Sequence, residues 1–455
     1  KPVIAYLKYA SDREYYLATV ADKIYLNPSA SSGIILTGVG GNHLYYKDMF
    51  EKIGVEMQVI HAGKYKGYGE NYTRNSMSEP IKQSLNNLIE DYYNELIEQI
   101  SHNRGISRRE LIKIYEKREE IFISQVDAVD LNLVDGLMYR EKLLSDNSLS
   151  KDYLVPYTKY KANRSSVGKD KIAIVHAEGS ITSVQKPFSQ NVISAKQYVK
   201  TLKKIQNDES IKAVILRVNS PGGSALESDI INDKIMKLRA SGKPVVVSMG
   251  NVAASGGYYI SSNADYIFAD PLTITGSIGV VMMYPNLEKL GKKIGLHSQT
   301  LKKGKYASFL NVWEPIDENT NKELENQINQ TYKEFKGVVS KGRDLTLEEV
   351  EKVAQGRVWS SRTALSHKLI DEIGGLSKAI DKAASLANIQ GEYTYKRFPE
   401  KKSVYEDLLS EKFSLSASID ILKTNVPEFD INRIKTNYEQ IKAEPIQQRM
   451  LLNVE

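Results

Sequence analysis

The two halves of this chain repeat one another, and a chain built from two copies of one unit has to fold as two related modules. Lys1-Pro2-Val3 recurs as Lys243-Pro244-Val245, Tyr15-Tyr16 as Tyr258-Tyr259, and the run from Ala21 to Pro28 as the run from Ala264 to Pro271. Gly63-Lys64-Tyr65-Lys66 is echoed by Gly304-Lys305-Tyr306-Ala307, and Val134-Asp135-Gly136-Leu137 by Ile373-Gly374-Gly375-Leu376. The offset drifts from 243 to 239 through small deletions, and the matches keep their order, which chance does not arrange. The second copy starts upstream at Lys171, and its stretch from Lys171 to Gly242 has no partner before Lys1, so the first copy is expected to lack its amino-terminal third.

Within the second copy, Ile172-Ala173-Ile174-Val175, Ala213 to Val218 and Pro244 to Met249 are short, β-branched apolar runs that read as buried strands. Helical patterns from Ser194 to Gln206 and from Ser224 to Arg239 lie between them, the latter closed by Gly242 and Pro244. Strand and helix alternate, which predicts an α/β fold of βαβ units around a largely parallel sheet. The expected division is a first repeat over 1–156, a polar linker over 157–170, a second repeat over 171–395 and an extension over 396–455, with a helical pattern from Val404 to Phe413.

Composition narrows the function. The 62 Lys and Arg against 56 Asp and Glu leave a net charge of +6 that is spread rather than gathered into a basic arm, so nucleic acid is not expected as a partner. The chain has no cysteine, which excludes thiol catalysis, disulfides and cysteine metal sites. No motif calls for a metal or a cofactor. No run approaches the roughly 18 to 20 apolar residues of a membrane helix. The first residues read as a strand entered in mid-domain, with no initiator Met and no leader, and a truncated record is the expectation.

Two glycine-rich motifs follow buried strands: Asn219-Ser220-Pro221-Gly222-Gly223-Ser224, and Asn251-Val252-Ala253-Ala254-Ser255-Gly256-Gly257-Tyr258-Tyr259. Open α/β sheets build their sites at such strand ends. Ser255 would stand at a tight turn opening a helix, its hydroxyl projecting among small neighbours. Gly222 and the amide of Gly256 could offer backbone N–H groups to a developing oxyanion, with Gly223 beside them. A serine nucleophile needs a base, and none of His43, His61, His102, His176, His297 and His367 sits in a triad-like context. A buried lysine can serve instead, because desolvation lowers its pKa. The repeat selects one: Lys66 faces Ala307 in the second copy, whereas Ser255 faces Asp12 in the first. Each copy has what the other lacks, as expected if a duplicated Ser-Lys enzyme divided its dyad between its halves.

With these residues in view, the chain resembles the long form of signal peptide peptidase A, the protease IV family of Ser-Lys peptidases with a crotonase/Clp-protease-like fold. The resemblance spans nearly all of 1–395. It rests on Gly63-Lys64-Tyr65-Lys66, Asn219 to Gly223, Ala253 to Tyr259, and Thr275-Gly276-Ser277-Ile278-Gly279-Val280. It implies Ser255 as nucleophile, Lys66 as general base and Ser277 as the hydroxyl that orients the lysine amine, with Lys64 a residue of the shared fold. It further implies a peptide substrate, cleaved signal peptides above all, and a homotetramer shaped as a bowl. The site would lie at the extracytoplasmic, periplasmic face of the bacterial inner membrane, held there by an anchor absent from this chain. Two other readings stand beside it: a catalytically silent scaffold of the same fold, and crotonase-like acyl-CoA chemistry, which also uses paired backbone amides.

Overall fold

The buried runs of the second copy become the middle of one sheet. A computed structural model describes residues 3–146, 168–183, 192–309 and 311–399. Strands Lys171–Glu178, Ile211–Ser220 and Val245–Ala254 lie parallel and adjacent, with Ile211–Ser220 between the other two. Ala213 to Leu216 are inaccessible to solvent because helices cover both faces, so alternation of polar and apolar residues is lost there. Each such Val, Ile or Leu contributes about 1.5–3 kcal/mol by burial. Helix Ala195–Asn207 sends Tyr198, Leu202 and Ile205 into the core at helical spacing, and helix Ala225–Ala240 starts at Ser224, whose hydroxyl accepts from Glu227 N.

Val245–Ala254 runs longer than the apolar run that marks it, since it changes partners along its length. Its first half pairs with Tyr266–Ala269 and its last three residues pair with Ile274–Gly276. Ile274–Gly276 in turn pairs antiparallel with Val358–Ser360, and Tyr266–Ala269 pairs with Glu372–Ile373. The first copy reproduces this outer half in two small sheets. Ile4–Leu7, Lys23–Leu26 and Gly136–Leu137 make one, and Tyr9–Ala10, Gly33–Ile35 and Phe122–Ser124 the other. Among the described residues no strand of the first copy matches Lys171–Glu178 or Ile211–Ser220. The large sheet also gains Thr394–Phe398, parallel to Lys171–Glu178, so it continues three residues past the boundary expected at 395. Most of the expected linker, residues 157–167, and the extension from 400 onward, with its Val404 to Phe413 pattern, lie outside the described residues.

One repeat match shifts its register. Asp135 accepts from Ile24 N and from Arg104 and Lys23, while Asp371 accepts from Ile267 N and Arg343. Asp135 therefore corresponds to Asp371, at an offset of 236, and the Gly374-Gly375 pair belongs to the turn before helix Leu376–Leu386.

The copies meet through strand Glu56–Ala62 of the first, which pairs antiparallel along its seven residues with Val280–Asn286 of the second. Ile60 and Ala62 thereby enter the core of the second copy. Helix Glu79–Arg104, begun with a proline in its first turn and ended by Gly105 in the left-handed region, adds a second seam. Its Asp91 accepts from the hydroxyls of Ser360 and Thr363, and its Tyr92 donates to the carbonyl of Leu272.

Candidate active site

The candidate site gathers where that cross-copy strand pair reaches Ala62 and Val280, beside the end of strand Val245–Ala254. At Ala62 the chain leaves its strand, turns at Gly63 and delivers Lys66 into a short 3₁₀ turn, Gly67–Gly69. At Ala254 the second copy leaves its strand and places Ser255 at the start of helix Gly256–Tyr259. The Lys66 Nζ stands 3.1 Å from Ser255 Oγ, across 189 residues of sequence. It also lies 2.9 Å from Ser277 Oγ and 2.9 Å from the Ser277 carbonyl oxygen. Lys66 is 7% exposed, and burial alone lowers its pKa from 10.5 to about 8. Its partners at Nζ are two hydroxyls and a carbonyl, so nothing at the amine favours the charged form as a carboxylate would.

Both serines are strained. Ser255 has φ +53° and ψ −122°, and Ser277 has φ +52°, a region that costs non-glycine residues of order 1–3 kcal/mol each. Surrounding bonds hold them: Ser255 N donates to Gly276 O at 2.9 Å and Ser277 N to Arg357 O at 2.7 Å. The strain at Ser255 is that of a sharp strand-to-helix turn, which pushes the hydroxyl outward.

The glycine motif at 222 and 223 lies against this turn. A Cβ on Gly222 would come within 2.8 Å of Ser255 Cβ and 2.6 Å of Gly256 N, and with φ +102° no other residue suits the position. Of the Gly222, Gly223 and Gly256 amides that the sequence reading offers to an oxyanion, that of Gly222 donates to Ser220 Oγ at 3.2 Å. Ile181 bonds the chain on either side of Gly223, through Gly222 O and Ser224 N. The Gly223 N–H therefore points away from Ile181, and it lies 3.2 Å from where a Cβ on Gly256 would be. Gly223 and Gly256 both line the smaller recess beside Ser255.

Two recesses open at the pair. One, of about 480 Å³, is lined by Tyr65, Tyr68, Ile81, Leu85, Val281 and Val358 beside Lys66 and Ser255. The other, of about 210 Å³, is bounded by Ala225, Ser228, Tyr259, Val280 and Phe335. Their walls are mostly apolar.

The remaining candidates fall elsewhere. Lys64 is exposed and lies over the Tyr65 ring at 5.1 Å, and Lys305 lies over Tyr306 at 4.9 Å, so the repeated Gly-Lys-Tyr is a feature of the fold. The histidines are spent differently: His61 contacts Gly63 O, His176 contacts Glu178, and His367 packs edge-on against Trp359. In the counterpart of the site, Asp12 accepts from the amide and hydroxyl of Thr37 and from Gly38 N, and Ala307 has no amine to offer. Among the described residues no group of His, Asp or Glu could hold a metal ion. The sequence reading misses Gln355, Gly356 and Arg357. Gln355 O accepts from Tyr65 N at 2.8 Å, and a Cβ on Gly356, whose φ is +77°, would come within 2.6 Å of Lys66 Cβ. No residue type in that run announces chemistry, and its place is set by a strand pairing that sequence does not reveal.

The chain is similar to known proteins. The sequence pattern of Peptidase family S49 matches residues 1–152 and 237–390. Protease 4 of Haemophilus influenzae is 36% identical over 410 residues, covering 85% of this chain and 65% of that protein. The chloroplastic serine protease SPPA of Arabidopsis thaliana is 35% identical over 404 residues, covering 86% and 59%. The chain thus spans less than two thirds of the length of these relatives. Among solved structures, a ClpP1 mutant from Listeria monocytogenes shows a distant likeness, with 16% identity and a TM-score of 0.30 over 46% of this chain and 94% of that one.

Proposed function

Because the chain belongs to peptidase family S49, we propose that it is a serine endopeptidase in which Ser255 is the nucleophile, Lys66 the general base and Ser277 the residue that orients the base. The observation that carries this is the 3.1 Å approach of a buried lysine amine to a serine hydroxyl held in a sharp turn. A neutral amine has two N–H donors and one lone pair. The carbonyl and hydroxyl of Ser277 occupy the two donors, which turns the lone pair to the Ser255 O–H.

Attack then proceeds by acyl transfer. Lys66 takes the Ser255 proton as Oγ adds to the peptide carbonyl, and the amides of Gly223 and Gly256 receive the oxyanion. The Lys66 ammonium protonates the departing amine as the C–N bond breaks, leaving an ester on Ser255. A water, deprotonated by the regenerated amine, hydrolyses that ester and restores the hydroxyl.

The apolar recesses suit extended, apolar peptides, and signal peptides freed at a membrane are the substrate this reading names. Action at the extracytoplasmic face of the bacterial inner membrane belongs to the same proposal. No helix among the described residues is long and apolar enough to cross a membrane. A homotetramer is proposed with it, and support comes from two exposed segments. At the repeat offset of 241, the strands Glu56–Ala62 and Val280–Asn286 correspond to 297–303 and 39–45. Both equivalents are largely exposed and belong to no strand. Pairing 297–303 of one chain with 39–45 of the next would extend the intrachain contact head to tail, an arrangement that closes into a ring where its rotation divides a full turn.

A fluorophosphonate probe tests the central claim. It should label the chain and fail on Ser255→Ala, and labelled protein should lose peptide cleavage. An unlabelled, inactive chain would favour the silent scaffold, and saturable binding of an acyl-CoA would favour the crotonase-like alternative.

A further inference from the structure

The Lys66 loop is held by one residue of the second copy that the chemistry does not touch. Arg357 places its guanidinium carbon 5.0 Å from the centre of the Tyr65 ring and 4.3 Å from that of Trp359. With the Asn87 amide turned to present its oxygen, Arg357 Nη2 donates to it at 2.9 Å. Trp359 is itself fixed, since its Nε1 donates to Val353 O at 2.8 Å. The cation is thus pressed between a tyrosine of the base-bearing loop and an anchored tryptophan, with a third hold on the long helix of the first copy.

The backbone of the same residue reaches the other side of the site. Arg357 O accepts from Ser277 N, Gly356 N donates to Ile278 O at 2.7 Å, and Gln355 O accepts from Tyr65 N. Three consecutive residues therefore touch Tyr65, Lys66 and Ser277 in turn. From this we infer that Arg357 is a positioning residue, a clamp that presses the Lys66 loop onto the Ser277 loop and keeps water from the amine. The inference rests on Lys66 being the base.

Arginine suits this position better than lysine because its planar cation stacks on two rings at once. The charged and titratable groups facing it are Tyr65, His367 beyond Trp359, and Glu90 and Asp91 on the rim of the recess of about 150 Å³ that it lines. Loosening the clamp would admit water to Nζ and let the amine regain part of its ordinary basicity, so the loss would be greatest where the protonated form dominates.

The test is a pH–rate profile of Arg357→Ala on a fluorogenic apolar peptide. The expected result is a fall of about tenfold in kcat/KM at pH 7, matching a rise of about one pH unit in the acid limb, with recovery as the pH is raised. Arg357→Lys should restore part of the difference. Tyr65→Leu should act through the same contact, so the double variant with Arg357→Ala should lose no more than the worse single variant. If Arg357→Ala fails to fold, Arg357→Lys and Tyr65→Leu carry the same comparison. An unmoved acid limb with a rate lowered equally at every pH would overturn the clamp, as would additive losses in the double variant. Failure of the peptidase reading looks different, because the wild-type chain would then neither take a fluorophosphonate nor cleave peptide.

Discussion

Lys66 should set the pH dependence of this enzyme, and replacing it should separate activity from stability. Burial lowers its pKa from 10.5 to about 8, a difference that corresponds to about 3 kcal/mol between the charged and neutral forms. At pH 7 roughly a tenth of the amine is then neutral, against about three parts in ten thousand for a lysine in water, a gain of roughly 300-fold in working base. Activity should rise through a limb near pH 8. Lys66→Arg should lose about 10² to 10⁴ in kcat/KM, because guanidinium keeps its proton and general-base catalysis is worth that much. Ser277→Ala should weaken turnover less, since the Ser277 carbonyl still receives one N–H. For stability, Lys66 is a cost, and that cost shares the pH direction of activity. The unfolded chain binds the proton more tightly than the folded one, so the desolvation cost is fully present below pH 8 and relieved as the pH rises from about 8 to 10.5. Lys66→Met should therefore be inactive yet melt a few degrees higher at pH 7, with the gap closing by pH 10. The assays are kcat/KM against pH and thermal melts at both pH values. A Lys66→Arg enzyme with near-normal activity, or a Lys66→Met chain less stable than wild type at pH 7, would refute the reasoning.

Further outcomes test the surroundings. Gly356→Ala should cut activity by at least tenfold and lower the melting temperature, because its Cβ would press on Lys66 and its φ of +77° disfavours any side chain, and peptide kinetics with a melt check both. Introducing His43→Cys and Gln299→Cys together into this cysteine-free chain should give a ladder of disulfide-linked oligomers on non-reducing gels. Either change alone should give monomers, since a head-to-tail contact does not set a residue against itself, and dimers from a single variant would count against that contact. Signal-sequence-like apolar peptides should be cleaved at least tenfold faster than polar peptides of equal length, and equal turnover would argue against the apolar recesses as the substrate site.

Much of this was legible in the residues, for identifiable reasons. The strands of the second copy announce themselves because full burial on both faces demands continuous Val, Ile and Leu, and its helices because Ser194 and Ser224 stand at their starts. The meeting of Lys66 with Ser255 was legible through an asymmetry: Lys66 stands against Ala307 and Ser255 against Asp12 in the repeat, so each copy holds what the other lacks. What sequence could not give was long-range register. Glu56–Ala62 pairing with Val280–Asn286, and the segment from Gln355 to Arg357 pressing on Lys66, depend on contacts across hundreds of residues and on residue types common in any loop. Nor could sequence say which of the two adjacent glycine amides is bonded within its own loop, since that depends on where Ser220 and Ile181 take their hydrogen bonds.

The division of the site between two copies also explains how its cost is met. Two serines with positive φ and a desolvated lysine together store several kcal/mol, and neither copy holds all of them. Ser255 and Ser277 rest on the rigid sheet of the second copy, through bonds to Gly276 and Arg357, while Lys66 arrives on a strand of the first. The lysine loses its water only when that strand docks, so its low pKa is a property of the seam and not of either half. The same seam buries Ile60 and Ala62 and ties Asp91 to Ser360 and Thr363, at a distance from the chemistry. Contacts that touch no substrate thereby stabilise the docked state in which the Lys66 pKa is lowered, and weakening them should first move the acid limb upward and only later unfold the chain.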